Sequence, residues 1–214
     1  MKVYFISGMA ADRSMFKHIR LPEGCTEVHL DWIDALQKET LEHYAWRMAQ
    51  SIDHSEPFAV IGLSLGGMLA AEIAKQFHPK TTILISSIPC HRHLPSYYKI
   101  IGKLNVHKAV PIALLKRAAL MKRKFTSEQS ADKKLLSEAI RSSDPAFIRW
   151  GMEAVLKWKT TEPPDNYVHI HGTRDEILPI IFTKPTHTVK GGGHLMVFTR
   201  ARVINKILSE VLSS

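Results

Sequence analysis

The chain reads as an α/β protein: a mainly parallel sheet of about six strands, flanked by helices and interrupted by an all-helical insertion. Three observations lead there. Short apolar, β-branched runs alternate with helical patterns up to residue 86, strand character disappears between Tyr97 and Trp158, and the strand-loop rhythm resumes at Tyr167. Alternation of this kind favours parallel strands covered on both faces, with ligands bound beyond their carboxyl ends.

Lys2 to Ser7 is the first strand, Ser7-Gly8-Met9-Ala10-Ala11-Asp12 its loop, and Ser14-Met15-Phe16 opens a short helix. Cys25 to Leu30 is a second strand closed by Asp31-Trp32; Asp31 and Asp34 read as caps. From Thr40 to Ile52 apolar residues recur at Leu41, Tyr44, Ala45, Met48 and Ile52, the spacing of an amphipathic helix with Thr40 as its cap. Ala59-Val60-Ile61 is a buried strand, Met68 to Phe77 a helix, and Thr81 to Ser86 a fourth strand. After Pro89 come four helical patterns: Tyr98 to Leu104, Pro111 to Met121, Ser127 to Ser142, and Pro145 to Trp158 with Asp144-Pro145 as a start signal. Thr160 to Asn166 links back to a fifth strand, Tyr167 to His171, and then to Gly172-Thr173-Arg174-Asp175-Glu176-Ile177-Leu178-Pro179. A sixth strand, Thr186 to Lys190, the loop Gly191-Gly192-Gly193-His194 and a closing helix, Met196 to Leu212, complete the chain.

The chemistry centres on Gly62-Leu63-Ser64-Leu65-Gly66-Gly67, set between a strand and a helix. This strand-turn-helix context turns a short G-x-S-x-G match into a nucleophile elbow, which lifts a serine hydroxyl clear of the sheet. Gly62 and Gly66 lack the Cβ that would keep strand and helix apart, and the helix directs its positive end at charge developing beside Ser64.

With this elbow, His171-Gly172-Thr173-Arg174-Asp175 followed by Pro179, and Gly192-Gly193-His194, the chain resembles the α/β-hydrolase family. The chain order serine, acid, histidine is the family's. The resemblance implies a core of residues 1–88 and 161–214, with 89–160 as a helical cap over the active site that chooses the substrate. It also implies roles. Ser64 is the nucleophile, His194 its base and then acid, Asp175 the carboxylate that holds the imidazole, and the backbone amides of Met9 and Leu65 the oxyanion hole. Glu176 beside Asp175 is the alternative acid, and the family's G-x-x-D pattern favours Asp175. The first loop departs from the family's frequent His-Gly start, being Ser7-Gly8, and the leading hairpin is absent. Serine rather than aspartate at the elbow argues against epoxide hydrolysis and dehalogenation, whereas lyase and cofactor-free peroxidase activities share the same triad.

Composition bounds the rest. Two cysteines, Cys25 and Cys90, make neither a disulfide framework nor a zinc site, and no metal or cofactor is expected. The N-terminal apolar stretch is too short for a secretion signal, and no run approaches the roughly 20 apolar residues of a membrane span. The expectation is a cytoplasmic protein. Net charge is +9, and its whole excess lies between His91 and Lys159, with 15 Lys+Arg against 5 Asp+Glu. Without a nucleic-acid-reading motif this argues against DNA or RNA; it reads first as a solvated face, and second as a dock for an anionic acyl carrier. Met121, Phe125, Leu120, Phe147, Trp150, Met152, Leu156 and Trp158 are the insertion's candidates for an apolar acyl pocket, against simple packing as the commoner use of such a stripe. The function expected is hydrolysis of a small or medium carboxylic ester. A thioesterase or acyl-carrier esterase stands second, and a non-catalytic ligand-binding member of the fold third.

Overall fold

The computed structural model describes residues 1–105, 109–123 and 130–213. Six strands, β1 (Lys2–Ile6), β2 (Thr26–Leu30), β3 (Phe58–Leu63), β4 (Thr81–Ile85), β5 (Tyr167–Gly172) and β6 (His187–Val189), form one sheet in the order β2-β1-β3-β4-β5-β6. Every neighbouring pair is parallel. The register aligns Ile6 with Gly62, Leu63 with Ile85, and Gly172 with Val189, so the loops after β1, β3, β5 and β6 emerge along one edge.

Successive strand residues face opposite sides. Tyr4, Ile6, Val60 and Leu84 join one buried cluster, and Val3, Phe5, Ala59, Ile61 and Ile83 the other. Two helices, α1 (Leu41–Ala49) and α2 (Leu65–Phe77), cover the first face. Thr40 caps α1, its Oγ1 accepting from the His43 amide at 3.2 Å, and Leu41, Tyr44, Ala45 and Met48 turn inward at the predicted spacing.

Four described helices lie between β4 and β5: α3 (Ser96–Lys103), α4 (Ile112–Arg123), α5 (Ser130–Ser142) and α6 (Pro145–Leu156). They do not form a detached layer. Leu136 of α5 packs into the second cluster, while Ala154 of α6 and Trp158 beyond it pack into the first. Asp144 caps α6 as its Asp-Pro pair predicts, accepting from the amides of Ala146 and Phe147 at 2.9 and 3.2 Å. Of the predicted Ser127 start, residues 127–129 fall outside the described residues.

The closing helix differs from its prediction. It is broken at Arg200 (φ −134°, ψ 22°) into α7 (Met196–Thr199) and α8 (Ala201–Leu212). Met196, Val197 and Phe198 are all buried, which one stripe of a straight helix cannot achieve; α8 then buries Ile204, Ile207, Leu208 and Leu212 at ordinary helical spacing. Cys25 and Cys90 are free thiols. Among the described residues no helix is long and apolar enough to cross a membrane, and no group of three or more His, Cys, Asp or Glu side chains is arranged to hold a metal ion.

Candidate active site

Ser64 follows β3 at φ 54°, ψ −116°, a left-handed conformation that costs a side-chain-bearing residue on the order of 1–3 kcal/mol. The turn is over-determined. Its amide donates to the Ile85 carbonyl at 3.0 Å, and its carbonyl accepts from Gly67, Met68 and the Ser87 hydroxyl at 3.0, 3.2 and 2.7 Å. A Cβ on Gly62 would lie 2.1 Å from the Gly66 carbonyl oxygen, and one on Gly66 would lie 2.3 Å from the carbonyl oxygens of Ile6 and Ser7. The glycines therefore do more than let β3 meet α2; Gly66 also lets α2 approach the end of β1. The helix starts at Leu65 rather than Met68, because the strained turn delivers the chain directly into it.

The first loop passes over Ser64. A Cβ on Gly8 would lie 3.6 Å from that of Ser64, an ordinary contact, so the approach is close without requiring glycine. Ser7 Oγ and Trp32 Nε1 both donate to the Ala11 carbonyl, at 3.0 and 2.7 Å, and fix the loop that carries Met9. Leu65 is the first residue of α2, whose amide has no intrahelical acceptor.

His194 Nε2 lies 2.9 Å from Ser64 Oγ, and its Nδ1 lies 2.9 and 3.0 Å from the two carboxylate oxygens of Asp175. Asp175 and His194 are buried. Asp175 Oδ1 also accepts from the amides of Ile177 and Leu178 at 3.0 and 2.9 Å. Burial pushes its carboxyl up, but the bond to His194, its charge and the Leu178 amide outweigh burial and hold the group below its ordinary value. Glu176, the alternative acid, is exposed.

Behind Asp175 lies a feature whose place in the site was invisible in the sequence. His169 and His171, both fully buried on one face of β5, form a hydrogen-bonded pair, and His171 Nε2 is 3.4 Å from Asp175 Oδ2. Their i, i+2 spacing on a strand was the signal available.

A cavity of about 380 Å³ opens at Ser64, with Met9, Leu65 and Met68 on the core side. Of the insertion's apolar candidates among the described residues, Met152 and Leu156 line it, and the others follow the packing reading or stay outside it. Trp158 is buried and donates to Glu72 Oε1 at 2.7 Å; Phe147 and Trp150 pack against Tyr44; Met121 is exposed; Leu120 does not reach the cavity; Phe125 lies outside the described residues. The acid loop adds Ile177 and Leu178, and α3 adds Tyr98 and Ile101. A larger cavity, about 580 Å³, lies between α6 and residues 34–40 and contains none of Ser64, Asp175 and His194. Lys116, part of the basic surplus, is engaged by the carbonyls of Arg141 and Ser143 at the end of α5.

Residues 3–206 match the sequence profile of the Alpha/beta hydrolase family. The chain belongs to this family. Among solved structures, this hydrolase is similar to the enol-lactonase from Burkholderia xenovorans LB400, with a TM-score of 0.72 and 14% identity over 100% of this chain and 91% of that one. It is also similar to a thermophilic esterase from Thermogutta terrifontis, with a TM-score of 0.65 and 16% identity over 97% and 88% of the two chains. A hydrolase from Oleispira antarctica gives a TM-score of 0.65 and 14% identity over 97% and 89%. At such identities the likeness is one of fold. No curated protein matches the sequence.

Proposed function

We propose that this α/β hydrolase cleaves a carboxylic ester of a small or medium acyl group through an acyl-enzyme. The observation that carries the reading is the continuous line from Asp175 through His194 to Ser64 Oγ, ending where an apolar cavity opens. A serine hydroxyl is a weak nucleophile at neutral pH, and His194 Nε2 at 2.9 Å is within reach to take its proton during attack on the carbonyl. The Leu65 and Met9 amides stabilise the tetrahedral oxyanion, a donor pair of which each member is worth about 3 kcal/mol. His194 then protonates the leaving alcohol, and a water activated the same way releases the acid. Asp175 keeps the imidazole proton on Nδ1 throughout and offsets its transient charge.

A cavity of about 380 Å³ is at the small end of ligand sites and suits a short apolar acyl chain better than a long one. Residues 89–160 serve as the cap that shapes it, over a core of 1–88 and 161–214. The similar structures described as an enol-lactonase and an esterase agree with ester chemistry.

A fluorophosphonate probe should label Ser64, and a panel of esters and thioesters of increasing acyl length should show turnover that Ser64→Ala removes. Labelling that survives this substitution would sink the assignment. Turnover confined to thioesters would redirect it to acyl-carrier substrates, and labelling with no turnover would leave a ligand-binding protein.

A further inference from the structure

The hydrolytic steps use neither His169 nor His171, yet both are fully buried, His171 beside the acid that those steps require and His169 behind it. Their hydrogen bonds fix their protons. His171 Nε2 lies 2.8 Å from the carbonyl oxygen of Leu178, and His169 Nε2 lies 3.0 Å from that of Ser87. A carbonyl only accepts, so both Nε2 atoms carry hydrogen. His171 Nδ1 faces that same His169 N–H at 3.0 Å and is therefore the bare nitrogen, accepting from it. On the far side, His169 Nδ1 is 3.5 Å from Thr183 Oγ1, which in turn is 3.0 Å from His93 Nδ1. Two neutral rings satisfy every one of these contacts.

Neutrality has a physical cause. Burial, then the adjacent His171 ring, pushes His169 down to about 3. Burial also lowers His171, against the opposing pull of Asp175, with His194 adding to the lowering. His171 thus presents to Asp175 an N–H dipole, not a second cation that would compete with His194.

The carbonyl that His171 grips belongs to a residue whose amide, with that of Ile177, holds Asp175 Oδ1. We propose that His171 is a positioning residue for Asp175: with its ring held by the His169 N–H on Nδ1, its Nε2–H pins the Leu178 carbonyl and so fixes the turn whose amides aim the carboxylate at His194. This rests on the hydrolytic reading above. Without His169, His171 Nδ1 is a buried acceptor left without a donor, and the ring loses the contact that holds its orientation. A ring that turns to find another partner releases the Leu178 oxygen and takes its N–H from beside Asp175.

A double-substitution cycle separates this role from packing. In His171→Gln the side-chain amide supplies an N–H near the Nε2 position without a ring nitrogen that needs the His169 donor. His169→Leu should lower kcat about tenfold with KM unchanged, a small share of the roughly 10²-fold that a 1 Å misplacement costs. It should also move the downfield proton resonance of His194 Nδ1–H. In the His171→Gln background the same substitution should change kcat less than twofold, and His169→Gln, which restores a donor, should recover most of the loss.

Equal losses in both backgrounds, or an unchanged kcat in His169→Leu protein that melts normally, overturn the proposal. If His169→Leu does not fold, failure of His169→Gln to behave differently from His169→Asn, which is too short to reach His171, does the same. Should the wild type neither label at Ser64 nor turn over esters, the hydrolytic reading fails by itself. The His194 resonance across the same variants then still decides whether the pair positions Asp175.

Discussion

A Cβ placed on Gly172 would lie 2.2 Å from the carbonyl oxygen of Gly192. The acid and the histidine arrive on separate loops, and this contact, with the Thr173 amide on Val189 at 3.1 Å and the Arg174 amide on Gly192 at 2.8 Å, zips the two together. Gly172→Ala must drive them apart. We expect a kcat loss of at least about 10²-fold and a destabilisation of about 1–3 kcal/mol, read from steady-state kinetics and urea unfolding. Gly193→Ala, whose Cβ would meet nothing nearer than 3.6 Å, should be far milder; equal effects would show that loop spacing does not govern the site.

Asp175→Asn should leave the fold and KM intact and lower kcat by about 10⁴-fold, as loss of the correct imidazole tautomer does elsewhere. The reason is local. The Ile177 and Leu178 amides require an oxygen at the Oδ1 position, which turns the new NH₂ toward His194 Nδ1, 2.9 Å from the present Oδ2. An imidazole that accepts there carries its hydrogen on Nε2 and cannot take the proton of Ser64. A kcat within tenfold of wild type would rule this out.

Chain-local physics made much of this legible. The elbow declares itself because a left-handed serine, three glycines without room for a Cβ and a helix start are forced into six consecutive residues, 62–67. The six strands and Thr40 and Asp144 as caps follow from apolar periodicity and short-range hydrogen bonds. What escaped depends on distant packing. Nothing in the stretch Phe147 to Trp158 tells Met152, which lines the cavity, from Trp150, which turns away to donate to the Glu39 carbonyl at 3.0 Å. Likewise His169 and His171 read as strand residues until the 175–178 turn folds back upon them.

Glu72 is buried in α2 with Trp158 Nε1 on its Oε1 at 2.7 Å. Burial raises its carboxyl above the ordinary value, the bonds from Thr160 and Trp158 opposing. A raised acid favours the protonated form in the folded state, so its ionisation costs stability as pH climbs from the unfolded value, about 4.3, through the folded one. Glu72→Gln keeps the acceptor for Trp158 and removes the charge. It should therefore stabilise the protein at neutral pH and confer no gain below about pH 4. Thermal melts across pH check this, and a gain independent of pH would point to packing instead.

The acyl cavity makes the last prediction. Met152, Val155 and Leu156 project from α6 toward Leu65 and Met68 of α2, closing an apolar space beside the Ser64 hydroxyl. Each methylene an acyl chain buries there is worth about 0.8 kcal/mol, near a fourfold gain in kcat/KM, until the space is full. Hexanoate carries four methylenes more than acetate, so Met152→Trp, which fills the space, should lower the hexanoate-to-acetate ratio of kcat/KM by about 10²-fold. The acetate rate itself should change little, because the enlarged side chain lies along the acyl chain's path and not at the carbonyl. A ratio unchanged by this substitution, in a protein that melts like wild type, would mean that acyl chains leave Ser64 by another route.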